Sequence, residues 1–121
     1  ILKNTVDKVP QSIVHCFTGT KDELKKFLDL GLYIGITGWI CDPNRGQELR
    51  DIVKYVPLDR MLIETDAPYL IPKDIKPKTT KNRNEPMFLE HILSVISTLV
   101  GKDEEVVAQH TTKNFKDLFR L

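Results

Sequence analysis

Three residues invite a chemical reading before any other. His15 closes the apolar stretch "SIVH", and Glu64 and Asp66 stand where the apolar run "MLIETD" turns polar. An imidazole and a carboxylate offer nitrogen and oxygen donors suited to Zn²⁺, Mn²⁺ or Mg²⁺. Asp66 can alternatively take the proton of an attacking water. A lone histidine at a strand end is also a common hydrogen-bonded structural residue, and an aspartate before Ala-Pro is a common turn former. A metal centre normally has three or four protein ligands. Spacing alone supplies His15 and Asp66, with Glu64 expected to support them from behind or to make a structural ion pair.

These residues need elements that carry them to one place. The runs 12–17, 32–37 and 61–65 are short, apolar and β-branched, and each reads as a buried strand. Between the first two, Thr20 and Glu23 form a capping box. Leu24, Phe27 and Leu28 follow at helical spacing, and Gly31 marks the stop. Leu49, Ile52, Val53 and Val56 trace a second helix, ended by Pro57. Strand, helix, strand, helix, strand with short links predicts parallel strands joined by crossovers. Ligands of such folds gather at the carboxyl ends of the strands.

A long polar loop, 68–83, comes after the third strand. Loops of this length in a compact domain are commonly functional or disordered. It is locally basic, with Lys73, Lys76, Lys78, Lys81 and Arg83 against Asp74. Such a loop above a strand-end cleft suits phosphates, and it equally suits plain solvation. Asn84 then reads as the N-cap of an amphipathic helix whose apolar face is Leu89, Ile92, Leu93, Ile96 and Val100, stopped by Gly101. Arg83, beside that helix start, is placed to add a bidentate guanidinium to helix N-terminal amides. Two shorter helical pieces are expected at 103–109 and 112–121.

Trp39 and Tyr69 follow strand ends and suit either base stacking or core packing. Cys16 reads as a buried small hydrophobe, and His91 and His110 as structural residues on helices. The 121 residues suffice for one domain, and the net charge of +1 selects neither nucleic acid nor membrane as partner. No apolar run approaches the roughly 20 residues of a membrane span. Two cysteines make no disulfide scaffold, so a cytoplasmic location is the default expectation.

Four blocks in order, "HCFTGT", "GLYIGITGWICD", "ETDAPYL" and "RNEP", closely resemble the TatD family of metal-dependent deoxyribonucleases. The resemblance runs through nearly the whole chain. It implies the C-terminal portion of a single TIM-like (β/α)8 metallo-hydrolase barrel over residues 1–121, with the N-terminal strands absent from this chain. It makes His15 a metal ligand, Asp66 a metal ligand or water activator, and Arg83 and Glu85 parts of a motif beside the site. It further implies a nuclease of the complete protein, most simply a 3′–5′ exonuclease on single-stranded DNA, for which the loop's own charge makes Lys73, Lys81 and Arg83 the expected phosphate contacts. The alternatives are a hydrolase of another ester or amide, such as D-aminoacyl-tRNA, and a non-catalytic half-barrel that pairs with a separate N-terminal half. In a closed barrel the sheet's second face would pack on further strands. Left bare, it would cost about 25 cal/mol for each Å² of apolar surface exposed, so the missing half or an oligomeric mate is expected to cover it.

Overall fold

In the computed structural model, residues 10–75 and 83–121 are described. Three short strands, β1 (Ile13–Val14), β2 (Tyr33–Ile36) and β3 (Met61–Ile63), pair in that order, all parallel. Each is shorter than the sequence suggests, because the chain turns away as soon as its polar residues arrive. The register sets Val14 beside Ile34, and Ile34 and Ile36 beside Met61 and Ile63. Paired residues share a face, so these five form one apolar surface. It packs on Leu24 of the first helix, on Ile92 and Ile96 of a later helix, and on Val53 and Val107.

Helix α1 (Lys21–Asp29) begins with the capping box expected for it: the Glu23 amide donates to Thr20 Oγ1, and the Thr20 amide donates to Glu23 Oε2. Gly31 follows with φ +74°, where an L side chain is strained. After β2 the chain makes a 3-10 turn, Gly38–Cys41, held at its start by the Thr37 hydroxyl. Helix α2 (Gln47–Ile52) runs into short 3-10 turns before β3. A 3-10 turn, Pro86–Phe88, leads into helix α3 (Leu89–Val100), which ends at left-handed Gly101.

Helix α4 (Glu104–Phe119) is one continuous helix where two pieces were expected. The Thr111–Thr112 pair has low helix propensity, yet the Thr111 hydroxyl donates to the Val107 carbonyl and the residue is buried. Asn114 then fastens the helix to the start of β3, its Nδ2 donating to the carbonyls of Leu58 and Met61 at 2.7 and 2.8 Å. Tertiary docking outweighs the local preference.

The second face of the sheet is not bare at its centre, contrary to the expectation from a half-barrel. All four residues of β2 are buried. The Arg60 guanidinium lies over the Tyr33 ring, and the Glu64 side chain lies against Gly35. Tyr33 and Leu62 on this face are buried as well. This is also the face on which the candidate chemistry sits.

Candidate active site

Register and alternation bring the site residues together. Ile13 pairs with Tyr33, and Gly35 with Leu62. Continuing two by two along each chain puts His15, Gly35 and Glu64 on the face opposite the helix-packed core. His15 lies just past β1, and Glu64 just past β3. Both strands therefore deliver polar side chains at their carboxyl ends.

The contacts are close. His15 Nδ1 lies 2.9 Å from Glu64 Oε2, and His15 Nε2 lies 3.4 Å from Asp66 Oδ1. The same Glu64 oxygen accepts the Cys16 amide at 3.0 Å. Gly35 is what makes room: a Cβ there would lie 2.5 Å from Glu64 Cδ. His15 itself is open to solvent, with 64% of its side chain exposed, while Glu64 and Asp66 are largely covered. The hydrogen bond from His15 to Glu64 raises the imidazole pKa above its ordinary value. The Glu64 charge adds to the rise, burial opposes it weakly, and the Asp66 charge raises it a little further.

Two of the four non-glycine residues at left-handed φ among the described residues lie here, the others being Leu70 and Arg120. Cys16 and Asp66 are both non-glycine residues in the left-handed region, at φ 47° and 58°. Cys16 is half-buried rather than buried. Its Sγ faces the Thr37 hydroxyl at 3.4 Å, and burial is the main cause pushing its thiol pKa up. The loop carrying Asp66 is fixed by Asn84, which is 1% exposed. Asn84 Nδ2 donates to the carbonyls of Thr65 and Tyr69, and its amide donates to Pro68. Asn84 is thus not a helix N-cap: Glu85 occupies that position of the 3-10 turn, and Phe88 that of α3. The Asn84 carboxamide is committed to the loop instead, apart from its Oδ1, which accepts the Glu85 amide.

The remaining sequence candidates fall around this centre. Arg83 is exposed and Glu85 half-buried, on either side of Asn84. Lys73 is exposed in the loop after β3, whereas Lys76, Lys78 and Lys81 lie outside the described residues. Tyr69 projects into solvent, 76% exposed. Trp39 packs beside the core, with the Arg45 guanidinium over its ring and its indole N–H donating to the Arg45 carbonyl. His110 is exposed on α4. His91, expected to be merely structural, meets Asp74 at 2.8 Å and shares a cluster with Cys41.

His15, Glu64 and Asp66 offer ligand atoms that all lie within 4.8 Å of one another. One imidazole and two carboxylates fit a divalent cation of the Mg²⁺, Mn²⁺ or Zn²⁺ type. Parallel strands that deliver such a donor set to their carboxyl ends define the class, an α/β chain with a candidate metal centre. Residues 1–120 match the TatD related DNase family, and the chain belongs to it. It is 49% identical over its 121 residues to the 3'-5' ssDNA/RNA exonuclease TatD of Citrobacter koseri, and 48% identical to that of Pantoea vagans. In each case the alignment takes in 46% of the relative, so the chain spans about half the length of these curated proteins. Among solved structures, YJJV, a TatD homolog from Escherichia coli, superposes with a TM-score of 0.81 at 27% identity, covering 97% of this chain and 47% of that one. A hydrolase TatD family protein from Entamoeba histolytica gives 0.79 at 25% identity, covering 97% and 44%. The three parallel strands and their helices thus have the architecture of part of a TIM-like hydrolase barrel.

Proposed function

We propose that this chain supplies the cation-binding edge and the phosphate-contacting loop of a metal-dependent 3′–5′ exonuclease acting on single-stranded nucleic acid. The observation that carries the reading is the pair of contacts on the His15 ring. In the neutral ring that keeps its proton on Nδ1 toward Glu64, the Nε2 lone pair would face Asp66, where a cation could join the two. His15 and Asp66 would hold the cation, with Glu64 fixing the ring from behind. When bound, a divalent cation supplies charge to the phosphoryl oxygens and makes a water more acidic.

The other residues take roles that follow from their chemistry. Asp66 accepts the proton of the attacking water on a carboxylate oxygen. Arg83 contacts strand phosphates, and Lys73 and Lys81 add sequence-independent attraction along the same loop. Glu85 keeps the turn that presents Arg83. Single-stranded DNA is the substrate we favour, and a mixed nitrogen and oxygen donor set suits Mg²⁺, Mn²⁺ or Zn²⁺. The names of the curated relatives support both the polarity and the single-stranded substrate.

The domain reading belongs to the same proposal: residues 1–121 are the C-terminal portion of one hydrolase barrel, completed by an N-terminal half or an oligomeric mate. The share of each relative that this chain matches supports it. So does β3, which has a partner on one side only among the described residues. Work in the cytoplasm completes the proposal and accords with two free cysteines.

The test is release of mononucleotides from single-stranded DNA by the full native polypeptide, with Mg²⁺ or Mn²⁺ and with a chelator. Asp66→Asn keeps the shape and removes the charge, so turnover should disappear while folding is nearly unchanged. Undiminished activity of that variant would remove Asp66 from the mechanism. A protein that ignores nucleic acid and cleaves another ester would overturn the substrate assignment.

A further inference from the structure

A second group of ligating side chains stands apart from His15, Glu64 and Asp66. Cys41 closes the 3-10 turn after β2, Asp74 lies in the loop after β3, and His91 sits in the first turn of α3. Three separate segments thus converge. The Cys41 sulfur, an Asp74 carboxylate oxygen and a His91 ring nitrogen all lie within 4.8 Å of one another. His91 Nε2 and Asp74 Oδ1 are 2.8 Å apart.

We propose that Cys41, Asp74 and His91 form a zinc site distinct from the candidate active site, one that fastens the basic loop to α3. The donor set is one sulfur, one nitrogen and one oxygen. Ligand atoms of a tetrahedral zinc stand about 2.0–2.3 Å from the ion, hence roughly 3.3–3.7 Å from each other. The cluster needs only small side-chain adjustments to reach that spacing. A thiolate and an imidazole favour zinc over Mg²⁺ or Mn²⁺, whereas the His15 group, with two carboxylates, does not share this preference.

Accessibility sorts coordination from other uses. Cys41 is fully buried, so no substrate reaches its sulfur for nucleophilic attack. Asp74 and His91 are partly exposed, with 38% and 30% of their side chains open, which leaves an entry path and a fourth position for water. Burial, with the Asp74 charge and hydrogen bond adding to it, pushes the Cys41 thiol pKa up to about 12. A cysteine thiol carries its proton until a cation displaces it. On binding, the sulfur–zinc bond replaces S–H, the proton passes to solvent, and no electron moves. His91 coordinates through Nε2 and keeps its proton on Nδ1.

The consequence is local. Asp74 directly follows Lys73. An ion at Asp74 would tie these two residues to the turn after β2 and to α3 at once.

Cobalt(II) is the probe, because a cobalt–thiolate bond gives a near-ultraviolet charge-transfer band that nitrogen and oxygen ligands do not. The full native polypeptide, titrated with Co²⁺, should show that band and lose it on addition of zinc. Cys41→Ser should abolish it. His91→Ala should abolish it too, and its partly exposed site protects the fold of that variant. Asp66→Asn should leave the band intact, which separates this site from the candidate active site. Absence of the band in the wild-type protein, or its persistence in His91→Ala, would overturn the proposal.

Discussion

Replacing Gly35 by alanine tests how the candidate site is held. The Cβ would stand 2.5 Å from Glu64 Cδ and 2.7 Å from Glu64 Oε2. Carbon atoms in contact prefer about 3.5–4.0 Å, so the carboxylate must withdraw by roughly 1 Å. It is the end of a flexible side chain and can do so. What it cannot do from the new position is keep both bonds to Oε2, one from the Cys16 amide and one from His15 Nδ1. The Cys16 amide is half-buried, and leaving it unpaired costs about 1–3 kcal/mol. The lost pair with exposed His15 adds little to stability. Binding should suffer more than folding, because releasing the partner that orients a liganding histidine typically costs about 10–100-fold in metal affinity. Denaturant unfolding and metal titration of the full native polypeptide measure the two effects separately. A cycle with Glu64→Ala assigns the cause: once the carboxylate is gone, Gly35→Ala should be nearly silent. An equal loss of affinity with and without the Glu64 carboxylate would refute the reasoning and place the fault in the backbone.

Two further outcomes follow from the same contacts. In metal-free protein, Glu64→Gln should lower the raised pKa of His15 toward the ordinary 6.5, followed by NMR titration of the imidazole. Because the folded value is raised, protonated His15 stabilises the fold fully below the unfolded pKa, and that contribution fades as pH rises through the folded one; an unchanged titration would acquit Glu64. Asn84→Ala should destabilise by about 1–3 kcal/mol, since the carbonyls of Thr65 and Tyr69 both lose their donor; a denaturation midpoint equal to wild type would show that water replaces the carboxamide.

The features legible in the sequence were those written in local chemistry. The capping box of Thr20 and Glu23, the glycine stops at Gly31 and Gly101, and the strand-helix order depend on neighbours a few residues away. The placement of His15 and Asp66 at strand ends followed from the same local patterns. Strand alternation carries a further signal: Glu64 shares its parity with Leu62, and through the register with Gly35. A glycine in the central strand beside a glutamate one register step on marks a carboxylate that needs space. Asn84 could not be read in this way. Its position before Glu-Pro imitates a helix cap, and only folding reveals that its donors reach carbonyls 15 and 19 residues back. Thr111 misled for another reason: a weak helix former in the expected break, it bonds one turn back to the Val107 carbonyl, while the long-range bonds of Asn114 dock the continuous helix on the start of β3. The cluster of Cys41, Asp74 and His91 spans fifty residues of chain, with no spacing motif to announce it.

Of the four non-glycine residues at left-handed φ among the described residues, Cys16, Asp66, Leu70 and Arg120, the first two flank the candidate site and support it independently of any likeness. Non-glycine residues in that region cost about 1–3 kcal/mol when nothing local relieves them, and they persist where the surroundings over-determine them. Asp66 is the milder case, since aspartate tolerates this region better than most. Cys16 has no such tolerance, and a fold selected for stability alone would place glycine there. The chain instead fixes Cys16 from both sides: its amide donates to Glu64, and the next amide, of Phe17, donates to the Gly35 carbonyl at 2.9 Å. Asp66 is fixed by the Tyr69 amide on its carbonyl at 2.8 Å and by Asn84 across the loop. Both turns have one effect in common, which is to aim a side chain beside them, His15 in one case and the Asp66 carboxylate in the other, at a shared point. Glu64 links the two, bonded at once to the strained turn and to the imidazole it presents. Strain that is anchored by the same carboxylate that orients His15 supports the proposed site, and it makes Glu64 as necessary to that geometry as His15 and Asp66.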